Sequence, residues 1–276
     1  MSDPDGGRTS YRSGAGGFRT QPQETTELKD AGNFWIGWRI YLAALLAILI
    51  VACFFLLPRD GGGQAGAYRR SQCIYNLRQI GMALANYHET YGSFPPAYIA
   101  DEKGRPIHSW RVLLLPFLDQ MELYKRYRFD EPWNGPRNRL LAETVVSVFS
   151  CRDENGAPDG ADSLLTSYVA VVDPESVWPG DRPMRISEIT DGTSNTLLVV
   201  EVANSGIHWM EPRDLHVVQM AQTINPKAGQ GISSRHEGGA YVLMCDGSDR
   251  FLRESMPGDT LRAMLTAHAG DEVGEF

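Results

Sequence analysis

An uninterrupted apolar segment at residues 40–57 constrains this chain more than any other feature. Its sequence, IYLAALLAILIVACFFLL, has no charged side chain and no polar face. A helix of this length covers about 27 Å, close to the thickness of the hydrocarbon core of a bilayer. A buried helix of a water-soluble domain would show a polar face over the same length. The segment therefore predicts a single membrane-spanning helix.

The flanks of this segment favour a permanent anchor over a cleaved signal peptide. A signal peptide lies at the extreme N-terminus, and its shorter apolar stretch is followed by small residues. Here the segment begins about forty residues into the chain. Trp35, Trp38 and Tyr41 supply interfacial aromatic rings, and Arg39 and Arg59 supply charged ends. We expect the anchor helix to span 34–57.

Composition divides the remainder of the chain into three parts. Residues 1–33 are rich in small, polar and charged side chains, so they predict a disordered cytoplasmic tail. Residues 58–66, PRDGGGQAG, predict a flexible linker because proline and glycine disfavour helix. Residues 67–276 are long enough for one large domain.

Charge excludes one class of partner and leaves the orientation of the anchor open. The net charge is -8, and residues 1–57 contain equal numbers of basic and acidic side chains, so the excess of acid belongs to the large domain. An acidic surface repels phosphate backbones, which argues against nucleic-acid binding. Arginines follow the anchor as well as precede it, and a large domain can translocate regardless of such charges.

The large domain has helical patterns first and strand-like patterns later. Apolar residues recur at helical spacing from Ala67 onward until Gly92, and a second helix is expected after Pro116. Segments rich in β-branched residues predict strands at 145–151, 166–172, 196–202, 241–245 and 250–252, and a final short helix is expected at 260–267. This order predicts an α+β domain in which a long N-terminal helix covers one face of an antiparallel sheet.

The domain contains three cysteines, and their spacing does not decide their state. Cys73, Cys151 and Cys245 show no CxxC pair of the kind found in zinc or redox sites. A Cys73–Cys151 disulfide would stabilise the fold by about 4.5 kcal/mol in the chain-entropy model and would require an oxidising compartment. Three reduced, buried thiols are the alternative.

Weak metal candidates stand in two polar motifs. Asp191 begins the sequence DGTSN, whose side-chain oxygens lie close together, and His236 and Asp246 lie in segments that could neighbour one another. The spacing matches no known calcium loop, so we favour a capped turn and a hairpin aspartate over metal ligands. We expect no cofactor.

No local catalytic motif is present in the sequence. It lacks GxSxG, HExxH, GxxxxGK[ST] and a GxGxxG after a strand. An alternative hypothesis is a carbohydrate-binding or carbohydrate-cleaving protein that uses carboxylates beside exposed tryptophans. The tryptophans considered are Trp110, Trp133, Trp178 and Trp209.

Six sequence blocks, in order, resemble one protein family. They begin with RRSQCIYNLRQIGMALANYHETYGSFPP at 69–96, and continue with SWRVLLLPFLDQMELY, DEPWNGPRN, FSCRDE, ITDGTSNTLLVVE and SSRHEGGAYVLMCDGSDRFL at 109–124, 130–138, 149–154, 189–201 and 233–252. This series is similar to the domain of unknown function 1559, a family abundant in planctomycete bacteria with a prepilin-type N-terminus.

The resemblance implies a pilin-like or pseudopilin-like domain displayed outside the cytoplasmic membrane, with the N-terminus inside. It also implies a disulfide between Cys73 and Cys151, which match two cysteines frequent in that family. One departure concerns the N-terminus, because Gly17 and Phe18 lead into a polar RTQPQE segment instead of an apolar helix. A prepilin peptidase would find no apolar helix there, so we expect a single-pass protein that stays anchored.

These observations lead to a functional expectation and two alternatives. We expect a non-catalytic, membrane-anchored envelope or surface module that acts through protein or polysaccharide contacts in the periplasm or at the cell surface. The carbohydrate-directed protein is the first alternative. A domain retained in the cytoplasm, with Cys73 and Cys151 as free thiols, is the second.

Overall fold

The computed structural model describes residues 27–56, 61–151, 163–227, 230–271 and 273, with backbone alone for 27–37, 53–56 and 61–69. It divides into two units, residues 1–59 and 60–276. Residues 1–26 of the tail predicted at 1–33 lie outside the described residues. So do residues 57–60, in the segment predicted as a linker.

The first described element is helix α1, Glu27–Leu56. It begins seven residues before the predicted anchor at 34–57, so the last part of the predicted tail is helical. In the part of the chain that the structure describes, no helix combines the length and the apolarity needed to cross a membrane. The predicted membrane span is therefore not confirmed.

The second unit opens with helix α2, Gly61–Tyr91. Its start differs from the prediction, because residues 61–66 are helical where a flexible linker was expected. Each glycine costs a helix about 1 kcal/mol relative to alanine, but adding residues to an existing helix requires no new nucleation. Gly92 ends α2 with a φ of +76°.

The remaining elements are short. The strands are β1 Tyr98–Ala100, β2 Pro106–Ser109, β3 Tyr168–Val169, β4 Val171–Val172, β5 Leu197–Glu201, β6 Leu215–His216, β7 Gly239–Met244 and β8 Asp249–Arg253, and the helices are α3 Trp110–Leu113, α4 Met121–Arg126 and α5 Gly258–Leu265. The main sheet has the order β3-β5-β7-β8, and each of its neighbouring pairs is antiparallel. The predicted α+β class is confirmed.

Helix α2 packs its apolar stripe against one face of the main sheet. Leu77, Ile80 and Leu84 are fully buried in one core with Leu243 of β7. Gly81 permits the close approach, since a Cβ built there would lie 3.0 Å from a Leu243 methyl group. The long helix over an antiparallel sheet is thus present as predicted.

The opposite face of the sheet is also covered. Val242 and Met244 alternate with Leu243 along β7 and belong to a second core, together with Leu261 and Met264 of α5. Because both faces are buried, β5 is buried along its whole length. Only the cover of one face, by the long helix, was expected from the order of helical and strand-like patterns.

One predicted strand and one predicted helix have different structures. In the segment 145–151 the structure forms a 3₁₀ turn, Ser147–Phe149, because Phe149 enters the core while Val145 stays half exposed. β-propensity depends on such packing more than on the backbone. The helix expected after Pro116 is divided into a 3₁₀ turn, Leu115–Leu118, and α4 by Asp119, whose φ is +58°.

The strands predicted at 241–245 and 250–252 are joined by a hairpin turn. Gly247 has a φ of +85°, and the Met244 N–H donates to the Ser248 carbonyl at 2.8 Å. The Asp246 carboxylate accepts from the Ser248 N–H at 2.9 Å. The turn aligns Leu243 with Asp249 across β7 and β8.

A buried ion pair joins α3 to the sheet region. The Arg111 guanidinium donates to Asp214 at 2.5 Å, and both side chains are almost fully buried. Arg111 also donates to the Tyr168 carbonyl at 3.1 Å, and Asp214 accepts from the Ala170 N–H at 2.8 Å and the Trp110 indole at 3.2 Å. Burial raises the pKa of Asp214 and lowers the pKa of Arg111, while their pairing opposes both shifts.

We predict that Arg111→Met lowers the free energy of unfolding by about 3–5 kcal/mol, because it leaves the Asp214 carboxylate buried without its guanidinium. Equilibrium urea unfolding measures the loss. Lys125→Ala, which removes an exposed pair with Glu122, is the control and should change stability by less than about 1 kcal/mol. Equal effects of the two substitutions would contradict this role for Arg111.

Candidate functional site: a buried cysteine and glutamate cluster

The described cysteines include one bonded pair and one free thiol. Cys73 of α2 is bonded to Cys151, which follows the 3₁₀ turn, with a Cα–Cα distance of 5.4 Å. The disulfide implied by the family resemblance is therefore present in the structure. Cys245 is free and buried, and burial raises the pKa of its thiol.

Hydrogen bonds around the disulfide hold the backbone of both cysteines. The Tyr168 hydroxyl donates to the Cys73 carbonyl at 3.2 Å. The Cys151 N–H donates to the Ser167 hydroxyl at 3.0 Å, and the Asn76 amide donates to the Ser150 carbonyl at 3.0 Å. These contacts tie α2 and the 147–151 segment to β3 and its approach, in addition to the covalent bond.

Two ionisable side chains border the disulfide. His236 Nε2 lies 3.8 Å from Cys151 Sγ and 3.9 Å from Glu201 Oε1. The His236 and Glu201 side chains are only 9% and 3% exposed. One ligand atom from each of Cys73, Cys151, Glu201 and His236 lies within 4.8 Å of the others. We call these four residues the cysteine–glutamate cluster.

The environment of Glu201 disfavours its charged form. Burial raises the pKa of the Glu201 carboxyl to about 7, against the opposing effect of hydrogen bonds from Ser234 and Tyr241. The Tyr241 N–H donates to Oε2 at 3.2 Å. The cluster therefore contains a carboxyl group that changes protonation near neutral pH.

The three weak metal candidates, Asp191, His236 and Asp246, lie in different parts of the structure. His236 belongs to the cysteine–glutamate cluster, whereas Asp246 caps its hairpin through Ser248. The structure therefore does not bring His236 and Asp246 into one ligand group. Asp191 accepts from the Ala269 and Gly270 N–H groups at 2.9 Å each, in a shallow depression that Asp271 also lines. By accepting these two backbone hydrogen bonds, the Asp191 side chain holds the 269–270 loop in place.

The tryptophans do not form an open sugar-binding cleft in the described residues. Trp110, Trp178 and Trp209 are at most 1% exposed, and the Trp110 and Trp178 rings lie 5.1 Å apart within the core. Trp133 stacks on His208 with centroids 5.6 Å apart.

Glu201 was not among the site residues predicted from the sequence. It is the last residue of β5 and lies within the apolar segment TLLVVEV, where a strand buried on both faces leaves a carboxylate no exposed side. A charged residue in such a segment is a signal of a specific partner. His236 was named, but its real neighbours come from β5 and the disulfide.

Comparison with known protein families identifies the family of this domain. The family model described as a protein of unknown function, domain 1559, matches residues 66–222 and 204–259, which is more than half of the chain. No curated protein and no solved structure matches the chain.

We predict that Cys73→Ala/Cys151→Ala lowers the free energy of unfolding by about 2–5 kcal/mol, because the bond closes a long loop in the unfolded chain. Urea unfolding with and without a thiol reductant measures this. The reductant should destabilise the wild type and leave the double variant unchanged. A wild type that is insensitive to reductant would contradict the prediction.

We predict a second effect on stability, from Glu201 as pH changes. The folded state raises the carboxyl pKa from 4.5 to about 7, so the folded chain binds the proton more tightly. Its stabilising contribution is complete below pH 4.5 and is lost as pH rises through about 7, by an amount on the order of 3 kcal/mol. Glu201→Gln should remove this dependence.

The measurement is urea unfolding across this pH range, with the disulfide intact and a chelator present. The His236 imidazole faces the carboxylate at 3.9 Å, so the comparison is repeated in a His236→Asn background. The free energy of unfolding is compared between Glu201 and Glu201→Gln, with His236 present and with His236→Asn. If it depends on pH in the same way for Glu201 and Glu201→Gln in both cases, the raised pKa is contradicted.

Proposed function

Because the chain belongs to the family of the domain of unknown function 1559, we propose that it is a membrane-anchored, non-catalytic envelope module of pilin-like type that acts through protein or envelope contacts. The observation that carries the proposal is the long helix α2 packed by its apolar stripe on an antiparallel sheet. This is the architecture that the pilin-like hypothesis requires of the domain after the anchor.

The anchor is supported by the sequence at 40–57 and by the exposure of α1. Large apolar side chains on several sides of the helix are between 51% and 64% exposed, which in water would be unfavourable over so many residues. They are Leu42, Leu45, Leu46, Ile48, Leu49 and Ile50. A bilayer is the environment that accommodates an apolar surface all round a helix.

The non-catalytic role is supported by the burial of the cysteine–glutamate cluster. Cys73 is fully buried, and the Glu201 and His236 side chains are nearly so. Macromolecular substrates need access to the reacting groups, and this arrangement gives them little. The carbohydrate-directed alternative has no specific observation in its favour, because three of its four tryptophans lie in the core.

Location and partners follow from the same proposal. A domain outside the cytoplasmic membrane meets the oxidising environment in which disulfides persist, in agreement with the Cys73–Cys151 bond. The acidic domain would present a surface to envelope proteins or polysaccharides and would repel nucleic acid.

We predict that the full chain, expressed in a bacterial host, stays in the membrane pellet after alkaline carbonate extraction. Leu45→Arg/Leu49→Arg should move it to the supernatant, because each arginine costs about 3 kcal/mol at the centre of a membrane helix. Leu45→Ile/Leu49→Ile is the matched control and should stay in the pellet. Extraction of the wild type itself would refute the anchor.

We predict that protease digestion of the same cells shows the C-terminal domain to lie outside the cytoplasmic membrane. External protease should digest a C-terminally tagged domain in intact spheroplasts, while a cytoplasmic marker protein stays protected. Digestion only after lysis would place the domain in the cytoplasm and overturn the envelope role.

A further inference from the structure

The cysteine–glutamate cluster brings together four potential ligands from distant parts of the sequence. Cys73 comes from α2, Cys151 from the segment after the 3₁₀ turn, Glu201 from the end of β5 and His236 from the loop before β7. The described contacts include 3.8 Å between Cys151 Sγ and His236 Nε2, and 3.9 Å between His236 Nε2 and Glu201 Oε1.

These distances are near those of a tetrahedral metal site. With Zn–S bonds near 2.3 Å and Zn–N or Zn–O bonds near 2.0–2.1 Å, neighbouring ligand atoms lie about 3.3–3.8 Å apart. Two thiolates, one imidazole and one carboxylate are ligand types that Zn²⁺ accepts. The two sulfur atoms are the exception, because in the structure they are bonded to each other.

We propose that reduction of the Cys73–Cys151 bond opens a four-ligand Zn²⁺ site made of Cys73, Cys151, Glu201 and His236. The disulfide and the metal are then alternative occupants of one position. The chain carries a redox-gated zinc site at the junction of α2 and the main sheet.

The chemical steps balance with a dithiol as the reductant. The dithiol transfers two electrons and two protons, so the sulfur–sulfur bond becomes two thiols and the reductant becomes a disulfide. Zn²⁺ then binds two thiolates, and their two protons go to solvent. The neutral imidazole and the ionised carboxylate complete the ligand set.

The zinc form buries little net charge. Two thiolates cancel the charge of Zn²⁺, so only the charge of the ionised Glu201 carboxylate remains, and a proton carried by that carboxyl beside the disulfide also goes to solvent. A larger uncompensated charge in this position would be costly. In the zinc form the carboxylate also gains a direct cationic partner.

The backbone around the cysteines is held by contacts that do not need the disulfide. Tyr168 binds the Cys73 carbonyl, Ser167 binds the Cys151 N–H, and Asn76 binds the Ser150 carbonyl. After reduction these contacts keep the two thiols close to Glu201 and His236. A site positioned in advance requires little reorganisation when the metal enters.

The two sulfur atoms belong to residues that differ in burial, since Cys151 is half-buried and Cys73 is fully buried. We therefore expect a dithiol to attack the Cys151 sulfur first. His236 lies against that sulfur at 3.8 Å.

The test uses the detergent-solubilised full chain, first reduced by a dithiol and then freed of reductant without oxygen. Titration with Zn²⁺ against a chromogenic chelator should give one tight site per reduced chain and none per oxidised chain. Titration with Co²⁺ should give the absorption bands of tetrahedral cobalt and a thiolate-to-cobalt charge-transfer band.

Substitutions of the two ligands that are not cysteines distinguish zinc binding at the four-ligand site from zinc binding by thiols alone. Glu201→Gln, which preserves shape, and His236→Ala should each weaken zinc binding by at least about tenfold. Cys245→Ser and Asp246→Asn, outside the cluster, should leave the affinity unchanged. Circular dichroism of each reduced variant checks that the fold is retained.

Two results would overturn the inference. One is the absence of a cobalt charge-transfer band in reduced wild-type protein whose two cluster thiols are shown to be free by thiol titration. The other is zinc affinity that stays the same in folded Glu201→Gln and His236→Ala. The membrane anchor does not enter either measurement, so the proposed envelope role stands or fails separately.

Discussion

The buried pair of Arg111 and Asp214 is the interaction on which the arrangement of the large domain most depends. An isolated charge in this core would cost several kcal/mol, and the pair avoids that cost only because nearly every polar atom around it is engaged. The Arg111 guanidinium bonds a β3 carbonyl, and Asp214 bonds the Ala170 N–H between β3 and β4. One network thus fixes α3, the β3–β4 segment and the approach to β6 in a single geometry. The Trp110 indole belongs to this network, and the Trp178 ring packs against Trp110.

The disulfide acts at the other side of the same strand. Tyr168 is in contact with both regions, since its carbonyl accepts from Arg111 and its hydroxyl donates to the Cys73 carbonyl. Strand β3 therefore connects the ion pair to the cysteine–glutamate cluster, and Glu201 pairs with Tyr168 across β3 and β5. The cluster lies in the framework of the sheet, which explains why so chemically varied a group is so deeply buried.

Local patterns predicted the elements that are long or strongly periodic, and they failed where tertiary packing decides. The stripe of α2 and strands β5, β7 and β8 were all expected, because apolar spacing and the turn at Gly247 are local signals. The 145–151 segment was expected to be a strand, but the burial of Phe149 selects a turn instead. The pairing of β1 with β2 and of β4 with β6 involves two to four residues on each strand, too few to leave a pattern. At the site, the family resemblance identified the disulfide, whereas the approach of His236 to Glu201 depends on the register of β5 and the loop before β7.

The position of Cys73, N-terminal to the buried residues Leu77, Ile80 and Leu84 of α2, has a mechanical consequence. Tension applied to the chain N-terminal to the domain travels along α2 and reaches Cys73 before it reaches Leu77, Ile80 or Leu84. The covalent bond passes that load directly to Cys151, so the apolar stripe of α2 is spared from peeling off the sheet one turn at a time. When the sulfurs are separated, the same pull acts on the helix from its end, and resistance to stretching falls to that of hydrogen bonds and side-chain packing.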